Sequence, residues 1–231
     1  MKNEKAAKII DKALKQGRKT LSEYEAKQVL AAYGIPVTKE VLARDKTALE
    51  KGLKKIGFPL VMKGCSADIA HKTEKGLIHV DIRTATEAKK AFREILAGME
   101  GYEGGVLMQE MIKGRRELVM GLTRDPQFGP CVMFGLGGIF AELQKDVVFA
   151  PAPLSTSTAR ELIGRISGRK LLAGFRGRKP LDLKIMADIL VSLGNLACAC
   201  PDIGQIDVNP LVVYRGKPVA VDATVVRGNG S

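Results

Sequence analysis

The feature that most constrains this chain is "IDVNPLVVYRGKPVAVDATVV", residues 206–226. Ile206, Val208 and Leu211 alternate with Asp207 and Asn209, and a second apolar-rich run follows the "RGK" turn. That pattern predicts an antiparallel hairpin with one face in a core. Residues i and i+2 of a strand share a face, so Asp207 and Asn209 point the same way. Asp222, between Val221 and Ala223, converges with Asn209 if the strands pair around the turn. A carboxylate and an amide oxygen on one face suit Mg²⁺, a hard cation that shares its shell with water and phosphates. Asp207 and Asn209 would equally serve to cap a turn before Pro210. Spacing alone leaves both readings open.

A second constraint is "LVMKGCSADIAHKTEKG", residues 60–76. It reads as a short buried strand that delivers Lys63 to a polar, small-residue loop holding His71. A lysine that ends an apolar strand costs free energy unless its ammonium finds a partner. A phosphate would serve. A lysine snorkelling at a sheet edge is the alternative. The chain's other histidine, His79, lies in the alternating "LIHVDI" and reads as structural.

Composition narrows the class of ligand. The 231 residues suffice for a large domain or two small ones, and carry a net charge of +12. Such a charge fits an anionic small molecule, an acidic partner subunit or nucleic acid. Tryptophan is absent and aromatics are 5%, so a base-stacking platform is disfavoured. The expectation is an anionic ligand first, a partner subunit second and no nucleic acid. No apolar run approaches the roughly 20 residues of a membrane helix, and the charged "MKNEKAAKIIDKALKQGRK" has no signal core, so a cytoplasmic location is expected. Cys65, Cys131, Cys198 and Cys200 lack paired zinc-type spacing and read as reduced thiols.

Helical and strand patterns alternate along the chain. "LSEYEAKQVLAAYG" is a helix with Ser22 at its N-cap and Gly34 beyond its end. "DKTALEKGLKKIG", "TATEAKKAFREILAGM", "TARELIGRISGRKLL" and "LDLKIMADILVSLGNLACA" are further helices. "GVLMQEMI" and "ELVMGLTRD" read as two strands joined by a "KGRR" turn. They place Gln109 and Glu110 at one strand end and Glu117 at the start of the next. A strand end offers backbone groups to a purine, and a carboxylate can take ribose hydroxyls. "GLGGIF", followed by Glu142, is a glycine-rich loop without the G-x-x-x-x-G-K-[ST] of a Walker A site. The predicted class is α+β, with an N-terminal helical extension over 1–19, sub-domains over 20–104 and 105–226, and a tail over 227–231.

Together these residues resemble an ATP-grasp domain. More narrowly, the chain resembles the beta subunit of ADP-forming acyl-CoA synthetases, such as the acetate-forming enzymes of archaea, relatives of the succinyl-CoA synthetase beta subunit. The likeness runs from about Thr20 to Val226, and is carried by "LSEYEAKQVLAAYGIPV", "TRDPQFGPCVMFGLGGIFAELQKDVVF" and "DVNPL" followed by "AVDA". The resemblance implies an ATP-grasp fold of two α+β sub-domains with ATP or ADP between them. Lys63 would hold nucleotide phosphate. Gln109, Glu110 and Met111 would form the adenine hinge, and Glu117 would face the nucleotide. Asn209 and Asp222 would carry Mg²⁺, with Asp207 beside them.

The implied reaction, acting as an acid–CoA ligase, is acyl-CoA + ADP + phosphate to acid + CoA + ATP, reversibly, through an acyl phosphate and a phosphohistidine. A CoA-binding alpha subunit would carry the first phosphohistidine, in an α2β2 heterotetramer. "HKTEKG" resembles the family's "HKSDVGG" loop, which makes His71 a catalytic candidate that receives phosphate from the partner's phosphohistidine and hands it to ADP. A non-catalytic regulatory domain of the same fold, and a succinate–CoA-ligase-like subunit, are the competing readings.

Overall fold

The computed structural model describes residues 3–69, 75–114, 116–138, 146–174 and 179–228. The chain forms two compact units. One comprises Ser22–Tyr24 and Thr38–Ile112; the other comprises Met1–Leu21, Glu25–Val37 and Lys113–Ser231. The α+β class is borne out in both.

The smaller unit is built on β1 (Glu40–Ala43), β2 (Leu60–Cys65), β3 (Ile78–Ile82) and β4 (Gly105–Glu110). These form an antiparallel sheet in the order β1-β4-β2-β3. Helices α3 (Lys46–Ile56) and α4 (Ala85–Gly98) carry apolar stripes. The side chains of Asp45 and Thr84 cap their first turns. Leu49, Phe92 and Ile95 from the helices meet Leu60, Met62, Val106 and Met108 from the strands in one core.

The larger unit contains α1 (Glu4–Lys15), most of α2 (Glu23–Ala32), β5 (Arg116–Asp125), β6 (Gly129–Leu136) and β7 (Val147–Pro151). It continues with α5 (Thr156–Arg165), a 3₁₀ turn (Arg169–Leu172), α6 (Leu183–Ala199), β8 (Ile203–Tyr214), β9 (Lys217–Ala220) and β10 (Thr224–Arg227). The sheet order is β10-β8-β5-β6-β7, with β9 also paired to β8. One sheet face packs Leu118, Met120, Phe134, Ile206 and Val208 against α1, α5 and the apolar α6. Arg124 ties sheet to helix by donating to the carbonyls of Ala197, Cys200 and Ile203 at 2.7–3.0 Å.

Three expectations are corrected. "KGRR" is not a hairpin turn. β4 pairs with β1 and β2, whereas β5 pairs with β6 and β8, so this segment carries the chain from one sheet to the other. For the same reason β4 stays with the smaller unit, and the division falls after Ile112 rather than at 104. "TARELIGRISGRKLL" is not one helix. Ile166 adopts an extended conformation, and Asp146 draws the backbone N–H groups of Ser167 and Gly168 onto its carboxylate at 2.8 Å each. Desolvation works to raise the Asp146 carboxyl, but these two bonds, with one from the Ser167 side chain, hold it below its ordinary pKa.

Candidate functional site

The two faces of the smaller sheet differ in chemistry. Leu60 and Met62 point into the core, so Val61 and Lys63 point the other way. Cross-strand partners share a face. Val61 pairs with Gln109, and Gln109 with Glu40, so Lys63, Gln109 and Glu40 lie together on the face away from α3 and α4. All three are buried. Lys63 Nζ donates to Glu23 Oε1 at 2.8 Å, with side-chain exposures of 7% and 1%. The partner that burial demands is therefore supplied by the chain itself, from the first turn of α2. Burial raises the pKa of the neighbouring Tyr24 hydroxyl, and the charges of Glu40 and Cys65 add to this.

Of the three residues expected to form a hinge, Gln109 has its side chain on the Lys63 face. Glu110 pairs with Leu60 and so faces the core side at the strand end. There its carboxylate accepts the Lys39 N–H at 2.7 Å, and its own N–H donates to the Lys39 carbonyl at 3.0 Å. Met111 donates its N–H to the Pro59 carbonyl at 3.3 Å. His71 lies outside the described residues.

The larger sheet shows the same division. Ile206 and Val208 enter the core, and Asp207 and Asn209 take the opposite face. Gly121 faces Asp207 across the ladder, and Glu117 faces Val212. Glu117, Asp207 and Asn209 therefore share one face of the sheet. The hairpin expected from "VVYRGKPV" is present: Tyr214 pairs with Lys217 around Arg215 and Gly216, whose φ values of 52° and 88° suit a type I′ turn.

A β-bulge decides where the polar residues point. Met120 pairs with Val208 and Leu118 with Leu211, so Asn209 and Pro210 together oppose Val119. The extra residue resets the alternation. Leu211 and Val213 return to the core although Val208 is already there, while Asn209 is left exposed beside Asp207.

Asp222 lies between β9 and β10, on a short arm of residues 221–223 outside both strands. Val221 anchors this arm by donating its N–H to the Pro210 carbonyl at 3.1 Å. Asp222 is close enough to Asp207 for its charge to act there. Burial, followed by that like charge, pushes the Asp207 carboxyl above its ordinary pKa. Two mutually repelling carboxylates and an amide oxygen form an all-oxygen donor set that gains from a divalent cation, so the residues fit Mg²⁺. Among the described residues no group of three or more His, Cys, Asp or Glu could hold a metal. The set is thus an open one, of the kind that shares a hard cation with phosphate oxygens.

Glu117 is exposed at the start of β5. Its carbonyl accepts the N–H of Gly137 at 2.8 Å, so the first half of the "GLGG" segment lies directly against it. Glu142, which follows that segment in the sequence, lies outside the described residues. Sequence reasoning missed the burial of Glu23 and Lys27, two charged residues on one helix, at 4% and 0% exposure. Their only sequence signal is the i,i+4 spacing, which reads as a solvated surface pair.

Residues 12–226 match the family described as an ATP-grasp domain. The chain is 43% identical over 227 residues to the beta subunit of acetate–CoA ligase [ADP-forming] I of Pyrococcus furiosus, covering 96% of this chain and 97% of the relative. It is similar to the acetyl-coenzyme A synthetase 1 of Ca. Korarchaeum cryptofilum, solved with coenzyme A and Ca-AMPCP, at a TM-score of 0.91 and 40% identity over 96% of this chain and 100% of that one. A second structure of that synthetase, with coenzyme A and Mg-AMPPCP, has a phosphohistidine segment pointing towards the nucleotide binding site and matches at a TM-score of 0.86 and 40% identity, with the same coverage.

Proposed function

The chain belongs to the ATP-grasp family, and we propose that within it the protein is the nucleotide-binding subunit of an ADP-forming acyl-CoA synthetase. The reaction is acyl-CoA + ADP + phosphate to acid + CoA + ATP, in either direction, with acetyl-CoA the first acyl substrate to try. A CoA-binding alpha subunit that carries a phosphohistidine is the partner, in an α2β2 assembly. No described helix is long and apolar enough to cross a membrane, and a cytoplasmic location fits this chemistry.

The observation that carries this reading is the shared sheet face of Asp207, Asn209 and Glu117, with Asp222 beside Asp207. Asp207, Asn209 and Asp222 would hold Mg²⁺. Bound there, the ion would neutralise phosphate charge during transfer. Lys63 supplies a second cation for phosphate, and Glu23 keeps its ammonium oriented. Gln109 offers its amide, and the backbone at Glu110 and Met111 offers polar groups, to the base. Glu117 accepts hydrogen bonds from nucleotide hydroxyls.

His71 is read from sequence alone as the phosphoryl relay. The P–N bond to the partner's histidine breaks as one to the His71 imidazole forms. That bond breaks in turn as the terminal phosphate oxygen of ADP takes the phosphoryl group, giving ATP.

The test begins with the isolated chain and calorimetric titration of ADP with and without Mg²⁺. Mg²⁺-dependent binding that is weakened in Asp222→Asn is expected; binding indifferent to metal and to that substitution overturns the metal assignment. Adding the alpha subunit, acetyl-CoA, ADP and phosphate should yield ATP, whereas a chain that binds nucleotide and its partner without turnover is a regulatory domain. Omitting ADP and supplying radiolabelled phosphate should leave acid-labile label on this chain that disappears in His71→Ala. Label on the partner alone, with an active mutant, removes the relay.

A further inference from the structure

We propose that Lys27 is a positioning residue for the divalent cation: it fixes the arm that carries Asp222. The inference rests on the reading of Asp222 as a metal ligand. Lys27 lies in α2 and is 0% exposed, the foremost of the large fully buried side chains. Its Nζ donates to the carbonyl of Val221 at 3.2 Å, across 194 residues of sequence. Val221 immediately precedes Asp222.

The arm needs such an anchor. Residues 221–223 belong to neither β9 nor β10, so no strand ladder sets their course. Ala220 is the last residue held in a ladder, and its N–H donates to the Pro36 carbonyl at 2.9 Å. Beyond it the Val221 peptide is gripped from both sides. Its N–H reaches Pro210, the neighbour of Asn209, and its carbonyl reaches Lys27. The first bond ties the arm to the strand that bears Asn209. The second ties it to a helix whose Ala26, Val29 and Leu30 are in the core. The peptide that precedes Asp222 is thereby held by groups that are not themselves ligands.

A buried ammonium is an expensive way to anchor a peptide, and an apolar side chain of similar length would fill the space at lower cost. The Val221 bond is the one that bears on the arm. Outer groups that orient metal ligands typically matter about 10–100-fold in affinity.

The test measures Mn²⁺ binding to the full chain in the presence of ADP by electron paramagnetic resonance, and ADP binding in EDTA by calorimetry. Lys27→Met keeps the volume and removes the donor; Lys27→Gln keeps a shorter donor and removes the charge. For Lys27→Met the expected result is Mn²⁺ affinity lowered about ten-fold, an unchanged melting temperature or a higher one, and unchanged metal-free ADP affinity. Lys27→Gln should recover part of the loss. Unchanged Mn²⁺ affinity in a folded Lys27→Met protein, while Asp222→Asn lowers it, overturns the positioning role alone. Mn²⁺ affinity unmoved by Asp222→Asn overturns the metal assignment beneath it. If Lys27→Met does not fold, Lys27→Gln decides by the same two measurements, and a fall in metal and metal-free nucleotide affinity together returns Lys27 to a purely structural role.

Discussion

Lys63 Nζ and Glu23 Oε1 are 2.8 Å apart and almost wholly shielded from water. Single removal of either partner takes this bond from a buried charge and should be destabilising, by up to about 3–5 kcal/mol, whereas removal of both should cost less. Glu23→Gln and Lys63→Met should each lower stability in urea, and the double variant Glu23→Leu with Lys63→Met should recover much of it. Nucleotide affinity should separate from this pattern. The stable double variant lacks the ammonium and should bind Mg-ADP as poorly as Lys63→Met.

Asp207 gives a pH signature. Its folded pKa is raised by burial and by Asp222, so the folded state holds its proton more tightly than the unfolded chain does. The resulting stability is fully present below the ordinary carboxyl pKa and is lost as pH rises through the folded value. In EDTA, the melting temperature of Asp207→Asn minus that of the parent should therefore grow from about pH 4 upward. Millimolar Mg²⁺ should narrow the gap at pH 7 by stabilising the parent more. A difference flat across pH would show that neither burial nor Asp222 raises the Asp207 carboxyl in the folded protein.

Gly104 tests a close approach. Its φ is 151°, and a Cβ placed there would collide with the carbonyl oxygen of Cys65. Gly104→Ala should cost about 1–3 kcal/mol in urea unfolding, because the junction with β2 must shift. Gly164→Ala is the control, since nothing lies within 4 Å of a Cβ there.

Arg124 serves the fold and not the site. Arg124→Ala removes three hydrogen bonds to carbonyls at the end of α6 and the start of β8, of which the Cys200 carbonyl keeps the Ile203 N–H, and should cost about 2–4 kcal/mol. Mg-ADP affinity measured well below the melting temperature should not change. A selective loss of affinity would show that the β8 bulge depends on this anchor.

Much of the fold was legible in short segments whose pattern and partners are close together. The hairpin around Arg215 and Gly216 is local, so its alternation and turn were enough. The "KGRR" segment carries the same local signs, yet β4 and β5 find their partners far along the chain, and nothing local distinguishes a turn from a crossing. Site residues divided likewise. Asp207 and Asn209 declared their face through Ile206 and Val208. Glu110 did not, because the face of a strand's last residue is fixed by the register with β2. Glu23 and Lys27 were illegible for a physical reason: a buried charge is recognisable only by its partner, here 40 and 194 residues away.

The strand orders also set a timetable for synthesis. The sheet order β1-β4-β2-β3 is complete once Glu110 has been made. α1 has no such early completion. The Leu21 N–H just after it bonds the Val225 carbonyl, Thr20 bridges Val226, and the Arg227 N–H bonds the Lys19 carbonyl. The segment after α1 thus waits for β10, made about 200 residues later. The buried face of α1 (Ala6, Ile10 and Ala13) shares a core with α2, made soon after, but also with Ile203 and Val225, so part of it stays uncovered until β8 and β10 are made. A nascent chain arrested before Thr224 should offer that helix to chaperones, with the smaller unit already closed.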